Sequence, residues 1–124
     1  MNYIFDTNAV IDLLEGRLPA SAINKLSLVI AEVSVISKIE LLGYWRITPS
    51  QELASESFLI NSIIHPLTDD IVDKCIQIRK FLNIKTPDAI IAATALIYNI
   101  TLLSRNLKDF GNIPGLVVID PHTL

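Results

Sequence analysis

Four carboxylates stand apart from the other acids of this chain: Asp6, Glu40, Asp88 and Asp109. Asp6 ends the apolar run Tyr3-Ile4-Phe5 and opens Asp6-Thr7-Asn8, so a carboxylate, a hydroxyl and an amide follow one another where a strand gives way to a helix. Glu40 lies in Ser37-Lys38-Ile39-Glu40, Asp88 in Thr86-Pro87-Asp88, and Asp109 in Ser104-Arg105-Asn106-Leu107-Lys108-Asp109-Phe110. Each acid alone has an ordinary explanation. Asp6 suits a helix N-cap, and Glu40 fits the reciprocal position of a capping box opened by Ser37. Asp88 suits the positive end of a helix, and Asp109 fits a polar turn.

Taken together they imply chemistry. Asp6 and Asp109 follow two expected strands, and Glu40 and Asp88 are expected in the first turns of helices leaving the same sheet edge. All four then converge on a crevice at the carboxyl ends of the strands. Carboxylates gathered there repel one another unless a proton or cation intervenes. Hard oxygen donors with no His or Cys pattern beside them select Mg²⁺ or Mn²⁺ over zinc. The reaction such a site supports is metal-assisted hydrolysis of a phosphodiester. Thr7, Asn8, Ser104 and Asn106 are expected to supply supporting or phosphate-directed hydrogen bonds. Lys38, Lys85, Arg105 and Lys108, close to the acids in sequence, are candidates for a basic rim.

The elements that must position these groups alternate along the chain. Strands are expected at Tyr3–Phe5, Leu28–Val35, Ile63–Leu67, Thr101–Leu103 and Leu116–Ile119. The third is placed near a sheet edge, because Pro66 cannot donate to a ladder. Helices are expected at Thr7–Glu15, Pro19–Leu26, after the Ser37 cap, over Ser50–Ile60, after Thr68 and over Ala89–Tyr98. The last is apolar all round and should pack between layers. Five strands separated by helices predict an α/β fold with one parallel sheet. The 124 residues suffice for one domain spanning 1–124.

Composition narrows the class further. A net charge of −3 gives no overall electrostatic footprint for passive nucleic-acid binding, so a phosphate backbone must be met by a local basic rim or bound cations. No run approaches the roughly 18 apolar residues of a membrane span, and no signal peptide is expected. The single cysteine, Cys75, fits a reducing cytoplasm and is expected in the core. Asp12, Glu15, Glu32, Glu52, Glu56 and Asp73 are expected on solvated helix surface, and the isolated His65 and His122 make no case as ligand or base. Apolar content beyond one core's needs, including Leu53, Phe58, Leu59 and Ile60, points to a homodimer.

The blocks Ile4-Phe5-Asp6-Thr7-Asn8, Ser37-x-x-Glu40-Leu41, Thr86-Pro87-Asp88-Ala89-x-Ile91-Ala92-Ala93-Thr94-Ala95 and Ser104-Arg105-Asn106-x-x-Asp109-Phe110 resemble a PIN domain. Within that superfamily they are similar to VapC-type toxins of toxin–antitoxin pairs, and the resemblance covers nearly the whole chain. It implies a Mg²⁺- or Mn²⁺-dependent ribonuclease, usually dimeric and silenced by a cognate antitoxin protein. The family's acidic positions fall on Asp6, Glu40 and Asp88. In many relatives an acid stands where this chain has Asn106, which leaves Asp109 as the nearest carboxylate and bears on a second cation. Two other readings stand beside this one. The first is a catalytically inactive PIN-fold binding or scaffold module, which would have no reason to keep three mutually repelling acids. The second is a haloacid-dehalogenase-like phosphatase, whose D-x-D would require an acid where Asn8 stands.

Overall fold

In the computed structural model, which describes residues 2–124, a five-stranded parallel sheet carries helices on both faces. The strands are β1 (Tyr3–Phe5), β2 (Ala31–Ser34), β3 (Ile63–His65), β4 (Thr101–Leu103) and β5 (Val118–Ile119), in the spatial order β3-β2-β1-β4-β5. The chain builds outward from β1 through β2 to the edge strand β3. It then returns to lay β4 on the other side of β1, so the order reverses at the β1–β4 seam. Such a reversal opens a crevice beyond the carboxyl ends of the two strands.

Alternation along the strands sorts the core. Ile4 and Leu102, paired in register, join one cluster, while Phe5, Val33 and Leu103 join the other. The first cluster is covered by α5 (Asp69–Phe81) and α6 (Thr86–Tyr98). The second is covered by α1 (Thr7–Leu14), α2 (Ala20–Leu26), α3 (Val35–Leu42) and α4 (Pro49–Ile60). Residues Ala89 through Ala95 of α6 are all buried, as its all-round apolar sequence predicts, and the Thr94 hydroxyl donates to the Ile90 carbonyl at 2.7 Å. Asn99, at φ 53°, closes that helix in the left-handed region that Asn tolerates. Cys75 is buried in the same layer. Among the described residues no helix is long and apolar enough to cross a membrane.

The structure moves several boundaries. Leu28 and Ile30 lie before β2 and are exposed, because α2 ends at Leu26 and a loop intervenes. Helix α3 begins at Val35: its cap is Ser34, whose Oγ accepts from Ile36 N at 3.1 Å. Ser37 and Glu40 therefore lie inside the helix, form no capping box, and Glu40 is not in a first turn. Lys85, not Thr86, is the N-cap of α6. A four-residue helix, α7 (Leu107–Phe110), and a short 3₁₀ turn over Pro121–Thr123 add to the expected elements. Leu59 is buried and the Phe58 ring packs edge-on against Phe5 at 5.8 Å, so neither is free apolar surface.

Candidate metal-binding site

The crevice is built outward from the β1–β4 seam. Phe5 and Leu103 are register partners, and Asp6 N donates to the Leu103 carbonyl at 3.1 Å. The next residues on the two strands, Asp6 and Ser104, thus emerge side by side. The Ser104 side chain lies close enough to the Asp6 carboxylate to favour its ionised form. Ser104 Oγ in turn accepts from Asn106 N at 2.9 Å. Asp6 also caps α1, its Oδ1 accepting from Ala9 N at 2.7 Å. The cap and the candidate site residue are therefore the same.

The other three acids come from separate elements. Asp88 stands in the first turn of α6, whose amino end meets the carboxyl edge of the sheet because the helix runs back to feed β4. Glu40 projects from α3, and the Thr7 hydroxyl donates to its Oε1 at 2.6 Å while lying 3.0 Å from Ser37 Oγ. Asp109 lies in α7 and is held by Asn106, whose Nδ2 donates to Asp109 Oδ2 at 3.0 Å and whose Oδ1 accepts from Asp109 N at 3.3 Å. Asn8 is exposed in the first turn of α1.

Electrostatics tie these groups together. Burial pushes the Asp88 carboxyl above its ordinary pKa, and the charges of Glu40 and Asp109 push it further, against an opposing pull from Lys85. Asp6 is raised chiefly by burial and also by the charges of Asp88 and Asp12, while its hydrogen bonds to Ser104 and Ala9 act in the opposite direction. Asp88 therefore feels Glu40 and Asp109, and its own charge is felt at Asp6. Among the described residues no three His, Cys, Asp or Glu side chains gather closely enough to enclose a metal ion by themselves. A Mg²⁺-like cation keeps several waters and needs only one or two protein carboxylates beside substrate phosphate. The donor set, carboxylates with hydroxyl and amide groups, is equally hard.

The basic residues divide. Lys85 acts on Asp88 directly, and Lys38 and Lys108 are exposed on α3 and α7. Arg105 turns the other way. Its Nε binds Asp12 Oδ2 at 2.9 Å, so a buried carboxylate holds it instead of leaving it a free rim cation. Asp12 is 1% exposed, which corrects its expected place on solvated surface; it also meets His122 Nε2 at 3.1 Å and Arg17 Nη1 at 3.5 Å. Glu32 is buried too, 2.7 Å from His65 Nε2, and His65 stacks on Tyr98. Both histidines thus have buried acid partners. From Glu40 a cavity of about 440 Å³ runs between α1, α3 and α4, lined by Ile11, Leu14, Leu41, Tyr44 and Ile47 among others.

The PIN domain family model matches residues 3–116. Among solved structures, a chain of a toxin–antitoxin complex from Klebsiella pneumoniae is 34% identical with a TM-score of 0.77, the match covering 96% of this chain and 97% of that one. A chain of VapBC2 from Rickettsia felis, solved bound to a DNA fragment from its promoter, is 26% identical with a TM-score of 0.81, covering 96% and 98%. A chain of VapBC-1 from nontypeable Haemophilus influenzae, 24% identical with a TM-score of 0.82 and covering 98% of both chains, shares the fold. No curated protein sequence matches this one. By the family match over most of its length, and by the close fit of its sheet to these structures, the chain belongs to the PIN domain family.

Proposed function

We propose that this protein is a divalent-cation-dependent endoribonuclease, the toxin of a VapBC-type toxin–antitoxin pair. One observation supports the reading: Asp88 feels the charges of Glu40 and Asp109, and Asp6, at the end of β1, feels that of Asp88, which links acids from four elements near the β1–β4 switch point. Asp6, Glu40 and Asp88 would hold the cation, with Asp109 completing the acidic wall. Bound there, Mg²⁺ or Mn²⁺ supplies charge neutralisation for the phosphodiester and lowers the pKa of water. The Thr7 hydroxyl holds Glu40 in one orientation, and the neighbouring Ser104 favours the ionised form of Asp6. Asn106 fixes Asp109. Lys85, with Lys38 and Lys108, supplies the positive charge an RNA backbone needs in a chain of net negative charge.

The partner assignment rests on the Klebsiella pneumoniae complex, itself a toxin–antitoxin assembly at 34% identity. The cavity leading from Glu40 offers an antitoxin segment an apolar floor beside the acids. We assign the protein to the cytoplasm and infer a homodimer. The deciding experiment is incubation of the purified chain with total RNA, in Mg²⁺ or Mn²⁺ and in EDTA, followed by end mapping. Discrete new ends that need the cation and vanish in Asp88→Asn are expected; RNA left intact in both cations overturns the reading.

A further inference from the structure

We propose that Asp12 is a positioning residue for the acidic crevice, acting through Arg105 on the loop that supports Asp6 and Asp109. The inference rests on the metal-binding reading of that crevice and adds a residue outside it. Asp12 lies on α1, one and a half turns beyond Asp6, and is 1% exposed. Burying a carboxylate is costly unless it is paired. Asp12 is paired: Arg105 Nε lies 2.9 Å from Oδ2 as an ion pair, His122 Nε2 lies 3.1 Å from Oδ2, and Arg17 Nη1 lies 3.5 Å from Oδ1. With its oxygens committed and no solvent face, Asp12 is an anchor and not a cation ligand.

What it anchors gives it a function. Arg105 is the middle residue of the three that link β4 to α7, and its two neighbours are the residues that touch the site. Ser104 lies beside Asp6 and favours its ionised form, and the Asn106 side chain holds Asp109 at both its backbone N and its carboxylate. The sheet ladder reaches this segment only through Ser104 N, which donates to the Ile119 carbonyl at 3.0 Å. The Arg105–Asp12 pair therefore pins the centre of a loop whose ends set the direction of two carboxylates. Arg17 and His122 bind the same acid from elsewhere in the chain, one from the turn after α1 and one from the carboxyl terminus. Groups that orient metal-binding side chains from behind are worth about tenfold to a hundredfold in metal affinity.

The test is calorimetric titration of Mn²⁺ into the full chain and its variants, beside their melting temperatures without metal. Arg105→Ala and Asp12→Asn should each weaken Mn²⁺ binding by about tenfold or more. Arg105→Lys, which keeps a cation facing Asp12, should recover much of the loss and guards against misfolding of the alanine variant. His122→Ala removes a partner of Asp12 that is not itself on the loop and leaves the Arg105–Asp12 pair in place, so it should lower the melting temperature and weaken Mn²⁺ binding far less than Arg105→Ala does. Wild-type affinity in Arg105→Ala overturns the proposal. So does a loss in His122→Ala as large as that in Arg105→Ala, since Asp12 would then be a fold anchor only. Asp88→Asn separates the underlying reading: if it binds Mn²⁺ like wild type, the crevice is not the cation site and both inferences fall. If it loses binding while Arg105→Ala does not, only this one does.

Discussion

Asp6 carries two duties that substitution can pull apart. Asn caps a helix about as well as Asp, so Asp6→Asn keeps the bond from Ala9 N while removing one charge from a repelling group. Cleavage of RNA should fall by orders of magnitude in this variant, with folding intact. The pH dependence has a defined sign. Burial and like charges hold the folded-state pKa of Asp6 and Asp88 above the ordinary 3.8. A raised folded pKa means the stability associated with the protonated form is fully present below that ordinary value and is lost as pH rises through the raised one. Without metal, wild type should therefore lose stability relative to Asp6→Asn as pH climbs from about 4 toward neutrality. Parallel melting curves across that range would show that Asp6 is not under electrostatic strain. The four candidate acids could be grouped from the sequence because the alternation of strands and helices sends their segments toward one edge of the sheet. Asp12 and Glu32 were not, although each sits inside an apolar run: Val10-Ile11-Asp12-Leu13-Leu14 and Ala31-Glu32-Val33. A central parallel strand is buried on both faces, so an acid there must find a partner, and His65 is that partner.

Where an element starts decides what its side chains can reach. Had α3 been capped by Ser37, Glu40 would be tied to its own helix start and would not face the crevice. With Ser34 as the cap, the helix begins one turn earlier and Glu40 faces Thr7 across from α1. The two arrangements differ in a measurable way. Ser34→Ala should cost about 1 kcal/mol, the usual value of a lost cap. Glu40→Ala should leave stability within about 0.5 kcal/mol of wild type, as an exposed residue outside a cap does, yet abolish cleavage. Equal destabilisation by Glu40→Ala and Ser34→Ala in urea melts would restore the capping-box role. Ser34 escaped sequence reasoning because no Glu or Gln follows it three residues on, whereas Ser37 has one. Helix α7 escaped because four residues are too few to show a period. Its cap, Asn106, was identified only as a supporting group, and the structure makes it the partner of Asp109.

At the scale of the molecule, the parallel sheet of five strands was the most legible feature, since strand–helix alternation leaves few topologies. The exposed apolar surface was the least, because burial within one chain and between two chains reads the same in a sequence. A cation that binds only the folded crevice must stabilise the whole domain by mass action, by about 2.7 kcal/mol at a hundredfold excess over its Kd. The melting temperature should rise with Mn²⁺ in wild type and not in Asp6→Asn; an equal rise in both places the cation elsewhere. The dimer interface can be argued from what the fold leaves uncovered. Leu53 and Ile60 stay exposed on α4, but with Phe58 and Leu59 turned inward they no longer form a patch with those neighbours. Along α5 the exposed Leu67, Val72 and Ile76 instead line one concavity of about 440 Å³, with Arg79 and Lys80 on its rim. A two-fold interface uses the same patch twice, so a charge placed there meets its own copy across the axis. Ile76→Glu should therefore yield monomers in sedimentation at micromolar concentration, at little cost to folding because Ile76 is 49% exposed. Leu53→Glu should remain dimeric. Wild type that sediments as a monomer removes the dimer altogether, and a dimer broken by Leu53→Glu but not by Ile76→Glu moves the interface to α4.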